Sequence, residues 1–152
     1  LSRTRATAAA IFAAGYPEAP LDTHPELIEQ DLGEWQGLPH EVFLERLRLP
    51  PHPFWSIAVE ERPPGGESFA DVMHRVGPAL ERLVADHQGQ DVVIVAHGGS
   101  IRAALAHAMG APGQSVLSFS IKNLSLSRLE KVGPDWRVAA VNEEAFTLPA
   151  EG

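Results

Sequence analysis

Cysteine is absent from the 152 residues, which excludes a disulfide framework and any thiolate metal site. That absence fits a reducing compartment, and the expected location is cytoplasmic. Long apolar runs are also missing. A membrane-spanning helix needs about 20 predominantly apolar residues, whereas Val92–Ala96 is only strand-sized, so no membrane partner is expected. Positive charge is scarce: 12 Lys and Arg stand against 20 Asp and Glu, a formal charge of -8. A polyanion such as nucleic acid is therefore not an expected partner, although a few local cations suffice for a small anion. Several motifs are lacking as well. No G-x-x-x-x-G-K-[ST] phosphate loop, no G-x-S-x-G nucleophile elbow and no H-E-x-x-H metal pair occurs, and the seven histidines are scattered. No metal and no cofactor is expected. Leu1-Ser-Arg-Thr-Arg-Ala is followed by no apolar targeting region and reads as the inside of an element.

What is present suits one domain with a real core: 44% of residues are apolar and 21% charged. The alanine-rich residues 3–14 predict a helix stopped at Gly15, with Pro17 beyond. Leu21–Thr23 reads as a short strand and 25–38 as an irregular packed loop. Residues 39–48 carry a helical apolar stripe. The proline-rich stretch 49–66 reads as a long ordered loop or lid, with Phe54, Trp55 and Ile57 as its apolar contacts. A second long helix is expected near Glu67, capped by Ser68 with Asp71 and kinked at Gly77-Pro78. Asp91–Ala96 is apolar at nearly every position, as in a buried parallel strand. A turn at His97-Gly98-Gly99 leads into a helix over 100–109, stopped by Gly110. Two strands, 123–129 and 136–141, form a hairpin through Gly133-Pro134-Asp135. This order of elements predicts a single α/β domain.

The sharpest local signal is Val92-Val-Ile-Val-Ala-His97-Gly-Gly-Ser-Ile-Arg102. In open α/β sheets ligands bind beyond the carboxyl ends of strands. Free N–H groups at a helix start attract anions, and glycines let an anion approach the backbone. His97, Gly98 and Gly99 therefore form a phosphate cradle with a titratable group inside it; a plain tight turn is the alternative. Arg3 and Arg5 lie near the start of the first helix, where an arginine grips phosphate bidentately; judged alone, they are solvated helix arginines. Glu29 sits among four acidic residues in 26–34. A carboxylate in an irregular loop beside apolar groups suits a general acid, and a solvated acidic loop is the alternative. Glu67 in Pro63-Pro-Gly-Gly-Glu-Ser68 suits the helix dipole and reads as mainly structural, with lining of the site as the alternative.

Taken together, four segments resemble the histidine phosphatase superfamily, the phosphoglycerate-mutase-like group. Leu1-Ser-Arg3-Thr-Arg-Ala-Thr7-Ala is similar to its L-x-R-x-x-x-T-A helix start. Leu27-Ile-Glu29 with Gly33, Trp35 and Gly37 is similar to L-x-E-x-x-x-G-x-W-x-G. Pro64-Gly-Gly-Glu67-Ser68 resembles P-G-G-E-S, and Val95-Ala-His97-Gly-Gly-Ser-Ile-Arg102 resembles V-x-H-G-G-x-I-R. The resemblance covers essentially the whole chain. It implies a three-layer sandwich with a mostly parallel central sheet flanked by helices. The family opens with a strand ending in Arg-His-Gly, whose histidine is the nucleophile. No Arg-His-Gly occurs in this chain, so residues 1–152 are expected to be a single, N-terminally incomplete domain.

The resemblance further implies hydrolysis of small-molecule phosphate monoesters through a phosphohistidine. Arg3 and His97, with Gly98 and Gly99, surround the phosphoryl group, and Glu29 protonates the leaving oxygen. Arg102 supports the turn. The partner is a small phosphorylated metabolite, and the hairpin offers an edge for a homodimer. Mutases of the family tend to carry a longer insertion before the P-G-G-E-S helix, so the short spacing here favours a phosphatase. A phosphoglycerate-type mutase and an inactive phospho-ligand binding domain are the alternatives.

Overall fold

The computed structural model describes residues 2–15 and 20–144. Helix α1 spans Ser2–Ala13. Its alanines favour a helix intrinsically, and the chain leaves it at Gly15 with φ +95°, a left-handed angle that glycine takes without strain. Pro17 lies outside the described residues. Two single 3-10 turns, Pro25–Leu27 and Gly33–Trp35, punctuate the acidic loop. Helix α2 covers His40–Arg46.

Helix α3, Phe69–Asp86, is the centre of the fold. Ser68 Oγ accepts from Asp71 N–H at 3.2 Å, and Asp71 Oδ2 accepts from Ser68 N–H at 2.8 Å. This is a reciprocal cap with Asp in the usual Glu position. Phe69, Val72, Val76, Leu80 and Leu83 repeat at helical spacing and are buried. Each such side chain contributes about 1.5–3 kcal/mol on full burial. The stripe packs on helix α4, Gly98–Met109, through Ala103 and Ala106. At Gly77 a Cβ would lie 2.7 Å from His107 Nδ1, so glycine is what lets that ring approach α3. The helix runs unbroken through Pro78, which is exposed. Gly110 ends α4 in the left-handed region, and a short helix α5, Gly113–Val116, follows.

A second cluster joins Trp35, Phe43 and Ile57, with the two rings edge-to-face at 5.8 Å. It anchors the 49–66 loop. Buried Glu61 accepts from the N–H groups of Arg48 and Leu49, and buried His52 pairs with the Gln114 carbonyl. Ile57 is fully buried, but Phe54 is 69% exposed and does not join the core as expected. Strands β1, Leu126–Val132, and β2, Asp135–Glu143, form the expected antiparallel hairpin, turning at Gly133.

Two expectations are corrected. Leu21–Thr23 is no strand, and Leu21 is exposed. More important, the mostly parallel central sheet of a three-layer sandwich is not formed among the described residues: their one sheet is the β1–β2 hairpin. Residues 92–96 make no hydrogen bond to any described residue, and Val92, Val93 and Ile94 are exposed rather than buried. A parallel strand exists only through the ladder of its neighbours, and residues 92–96 share no ladder with any described segment. The helix packing and the hairpin remain those of an α/β domain.

Candidate active site

His97 stands where the 92–96 segment meets α4. Its carbonyl accepts from Ile101 N–H at 2.8 Å, closing the first turn, and Ser100 Oγ bonds both to its N–H and to its carbonyl. The backbone of His97 is thus held by the helix start. From the other side, the first turn of α1 delivers Arg3, whose Nε–H donates to His97 Nδ1 at 3.2 Å. An arginine can only donate, so Nδ1 is the acceptor and the ring proton sits on Nε2. Burial, and then the positive charge of Arg3, hold the His97 imidazole below its usual range, while Glu29 opposes them. Residues 94 positions apart are joined here.

Glu29 approaches the same helix start. Its Oε1 accepts from Gly99 N–H at 3.0 Å and from Gln30 N–H at 3.0 Å, and Oε2 stands 3.3 Å from Gly99 N. A carboxylate is favoured at the positive end of a helix. Glycine is required at 99 for this contact, because a Cβ there would overlap Glu29 Oε1. Of the two glycines, Gly99 therefore serves Glu29, while Gly98 N–H has no partner among the described residues. Arg3, His97 and Glu29 surround one end of α4, with donors on one side and a carboxylate on the other. Arg5 turns away to the Thr23 hydroxyl.

Arg102 is buried and faces inward. Its Nε donates to the Phe119 carbonyl at 2.9 Å and Nη1 to the Gly98 carbonyl at 3.1 Å, with the guanidinium 4.7 Å from the Trp55 ring. It braces the turn. Trp55 Nε1 in turn donates to Gln30 Oε1, beside Glu29. Trp55 is expected from the sequence only as an apolar contact of the 49–66 loop, and neither Gln30 nor Arg75 is singled out there. The available signal for Arg75 was its place on the apolar stripe of α3, next to Val72 and Val76. Among the described residues no three His, Asp or Glu side chains converge as a metal ligand set, and no helix is long and apolar enough to cross a membrane.

An α/β domain with an arginine–histidine pair and a carboxylate at one helix start is the class that this fold and site define. The chain belongs to the histidine phosphatase superfamily (branch 1), whose family model matches residues 1–144. A bifunctional protein of Mycobacterium tuberculosis is 35% identical over 126 residues, 80% of this chain and 33% of that protein. A 2,3-bisphosphoglycerate-dependent phosphoglycerate mutase of a Methylobacterium species is 34% identical over 106 residues, 68% of this chain and 51% of the mutase. Among solved structures, a mycobacterial glucosyl-3-phosphoglycerate phosphatase is 30% identical with a TM-score of 0.74, covering 95% of this chain and 75% of the other. The chain thus spans a third to a half of these two curated relatives.

Proposed function

We propose that this domain hydrolyses small-molecule phosphate monoesters through a phosphohistidine intermediate, with Arg3 and His97 binding the phosphoryl group and Glu29 as general acid and base. The observation that carries the reading is the meeting of Arg3, His97 and Glu29 at the Gly98-Gly99 helix start. In the first step a histidine nitrogen attacks phosphorus, the phosphorus–oxygen bond to the leaving group breaks, and protonated Glu29 gives its proton to that oxygen. Its Oε2, the less engaged oxygen, is the one that exchanges the proton. In the second step water attacks phosphorus, the phosphorus–nitrogen bond breaks, and the Glu29 carboxylate takes a proton from the water. Arg3 and the Nε2–H of His97 stabilise charge on the phosphoryl oxygens in both steps.

The nucleophile is proposed to lie on a strand preceding residue 1, carrying the Arg-His-Gly of the resemblance. Support comes from residues 92–96, an extended apolar segment whose backbone groups have no partners among the described residues and which is suited to pair with such a strand. The short spacing between Glu29 and Glu67 favours hydrolysis over mutase transfer. The substrate is proposed to be a phosphorylated metabolite of small size.

The test is oxyanion affinity, measured by calorimetry with inorganic phosphate. His97→Ala removes a charge-assisted hydrogen bond and is expected to weaken binding by about 1.5–3 kcal/mol. An unchanged affinity would remove His97 from the site. Acid-labile, base-stable phosphate trapped on the full chain during turnover is the expected mark of the intermediate.

A further inference from the structure

Glu29 sits in a loop without regular structure from residue 28 to 32, yet a general acid must be held to a fraction of an ångström. The holding comes from α3. The Arg75 guanidinium forms a two-pronged ion pair with Glu67, Nε to Oε1 at 2.8 Å and Nη2 to Oε2 at 2.9 Å. Its remaining donors grip the loop: Nη1 donates to the Glu26 carbonyl at 2.6 Å and Nη2 to the Glu29 carbonyl at 3.3 Å. Glu67 grips it as well. Its N–H donates to the Asp31 carbonyl at 2.7 Å, its Oε2 accepts from Asp31 N–H at 3.2 Å, and its carbonyl accepts from Gln30 Nε2 at 2.9 Å. Every one of these bonds falls on residues 26 to 31, on both sides of Glu29. Both side chains are largely shielded, with 18% exposure for Arg75 and 27% for Glu67, so the pair is little screened. Only a guanidinium supplies this fork; a lysine ammonium cannot meet a carboxylate and two carbonyls in one plane.

We propose that Arg75, oriented by Glu67, is a positioning residue for Glu29: it sets the place of the carboxylate at Gly99 by holding the loop backbone. This rests on the reading of Glu29 as general acid. Arg75 touches no substrate. Its effect on the reaction passes through Glu29, so it matters most where the leaving group needs a proton.

Leaving-group chemistry supplies the experiment on the full chain. A p-nitrophenolate departs without protonation; an alkoxide does not. Glu29→Gln is expected to lower kcat/KM, which reports the first step and not the later water attack that Glu29 also assists, by roughly 100-fold or more for an alkyl phosphate and far less for p-nitrophenyl phosphate. Arg75→Lys is expected to lower alkyl phosphate kcat/KM by roughly 10- to 100-fold, again with far less effect on p-nitrophenyl phosphate, and to add nothing in the Glu29→Gln background. A readout without turnover accompanies it. The Gly99 amide, bonded to Glu29, should exchange its hydrogen faster in Arg75→Lys as it does in Glu29→Gln. If Arg75→Lys lowers kcat/KM for both substrates alike, adds to Glu29→Gln, or leaves Gly99 exchange unmoved, Arg75 is only a structural residue and the proposal is overturned. If Glu29→Gln itself lowers kcat/KM for both substrates alike, or neither substrate turns over, the general-acid reading fails instead.

Discussion

At the residue scale, the site turns on one imidazole. Burial first, and the Arg3 guanidinium second, keep His97 below its usual range against the pull of Glu29. An oxyanion held by Arg3 and the Nε2–H of His97 reverses the balance, because negative charge beside the ring favours imidazolium. Arg3 must then release Nδ1 and turn its donor to the anion. Sulfate, whose charge is constant over the range, should bind with net proton uptake in the window between the lowered range of the free imidazole and its raised range in the complex, and the uptake should fade at lower pH, where the free ring is already protonated. Calorimetry in buffers of different ionisation enthalpy measures that uptake, and His97→Gln should abolish it. The residue types of the site were legible in the chain: a histidine before two glycines, an arginine in the first helical turn and a carboxylate in an irregular loop. The identity of the ring proton was not, because it depends on Arg3 arriving from 94 residues away.

At the element scale, the start of α4 is a junction rather than an open anion cradle. Gly99 gives its N–H to Glu29, Arg102 ties Gly98 to Phe119, and Ser100 closes on His97. Gly99→Ala tests the junction. The new Cβ would overlap Glu29 Oε1 and expel the carboxylate. A lost charge-assisted bond costs about 1.5–3 kcal/mol, while alanine in place of glycine in a helix returns about 1 kcal/mol. Turnover of an alkyl phosphate should therefore collapse with only a modest drop in the urea midpoint. A fall in stability without a fall in turnover would mean that Glu29 does not need its place at Gly99. The caps and stops of α1, α3 and α4 were written locally, in Gly15, in Ser68 with Asp71 and in Gly110, and so were readable. The Arg75 clamp was not, since its partners are backbone carbonyls of residues 26 and 29, which no side-chain pattern marks.

At the scale of the whole molecule, one carboxylate ties four elements together. Glu81 of α3 accepts from His107 of α4 at 2.7 Å, from Trp136 of β2 at 2.8 Å and from Lys131 of β1 at 3.1 Å. The His107 bond, followed by those of Trp136 and Lys131, holds its carboxyl down at about 2. A carboxylate lowered on folding adds stability above its unfolded range, near 4.5, and this is lost as pH falls toward 2. Urea unfolding should therefore weaken from pH 4.5 downward, and Glu81→Gln should flatten that limb; an unchanged acid limb would show that the hairpin is tied by other contacts. By itself the sequence determined what depends on near neighbours: helices from apolar spacing, their ends from caps and glycines, the hairpin from its turn, and the candidate residues for the site. Only the tertiary structure decided what depends on partners distant in the chain. It brought Arg3, Glu29 and His97 to one helix start, because α1, the acidic loop and α4 converge there. It also left Val92–Ile94 without a ladder, because a strand needs hydrogen-bonding neighbours that its own composition cannot supply.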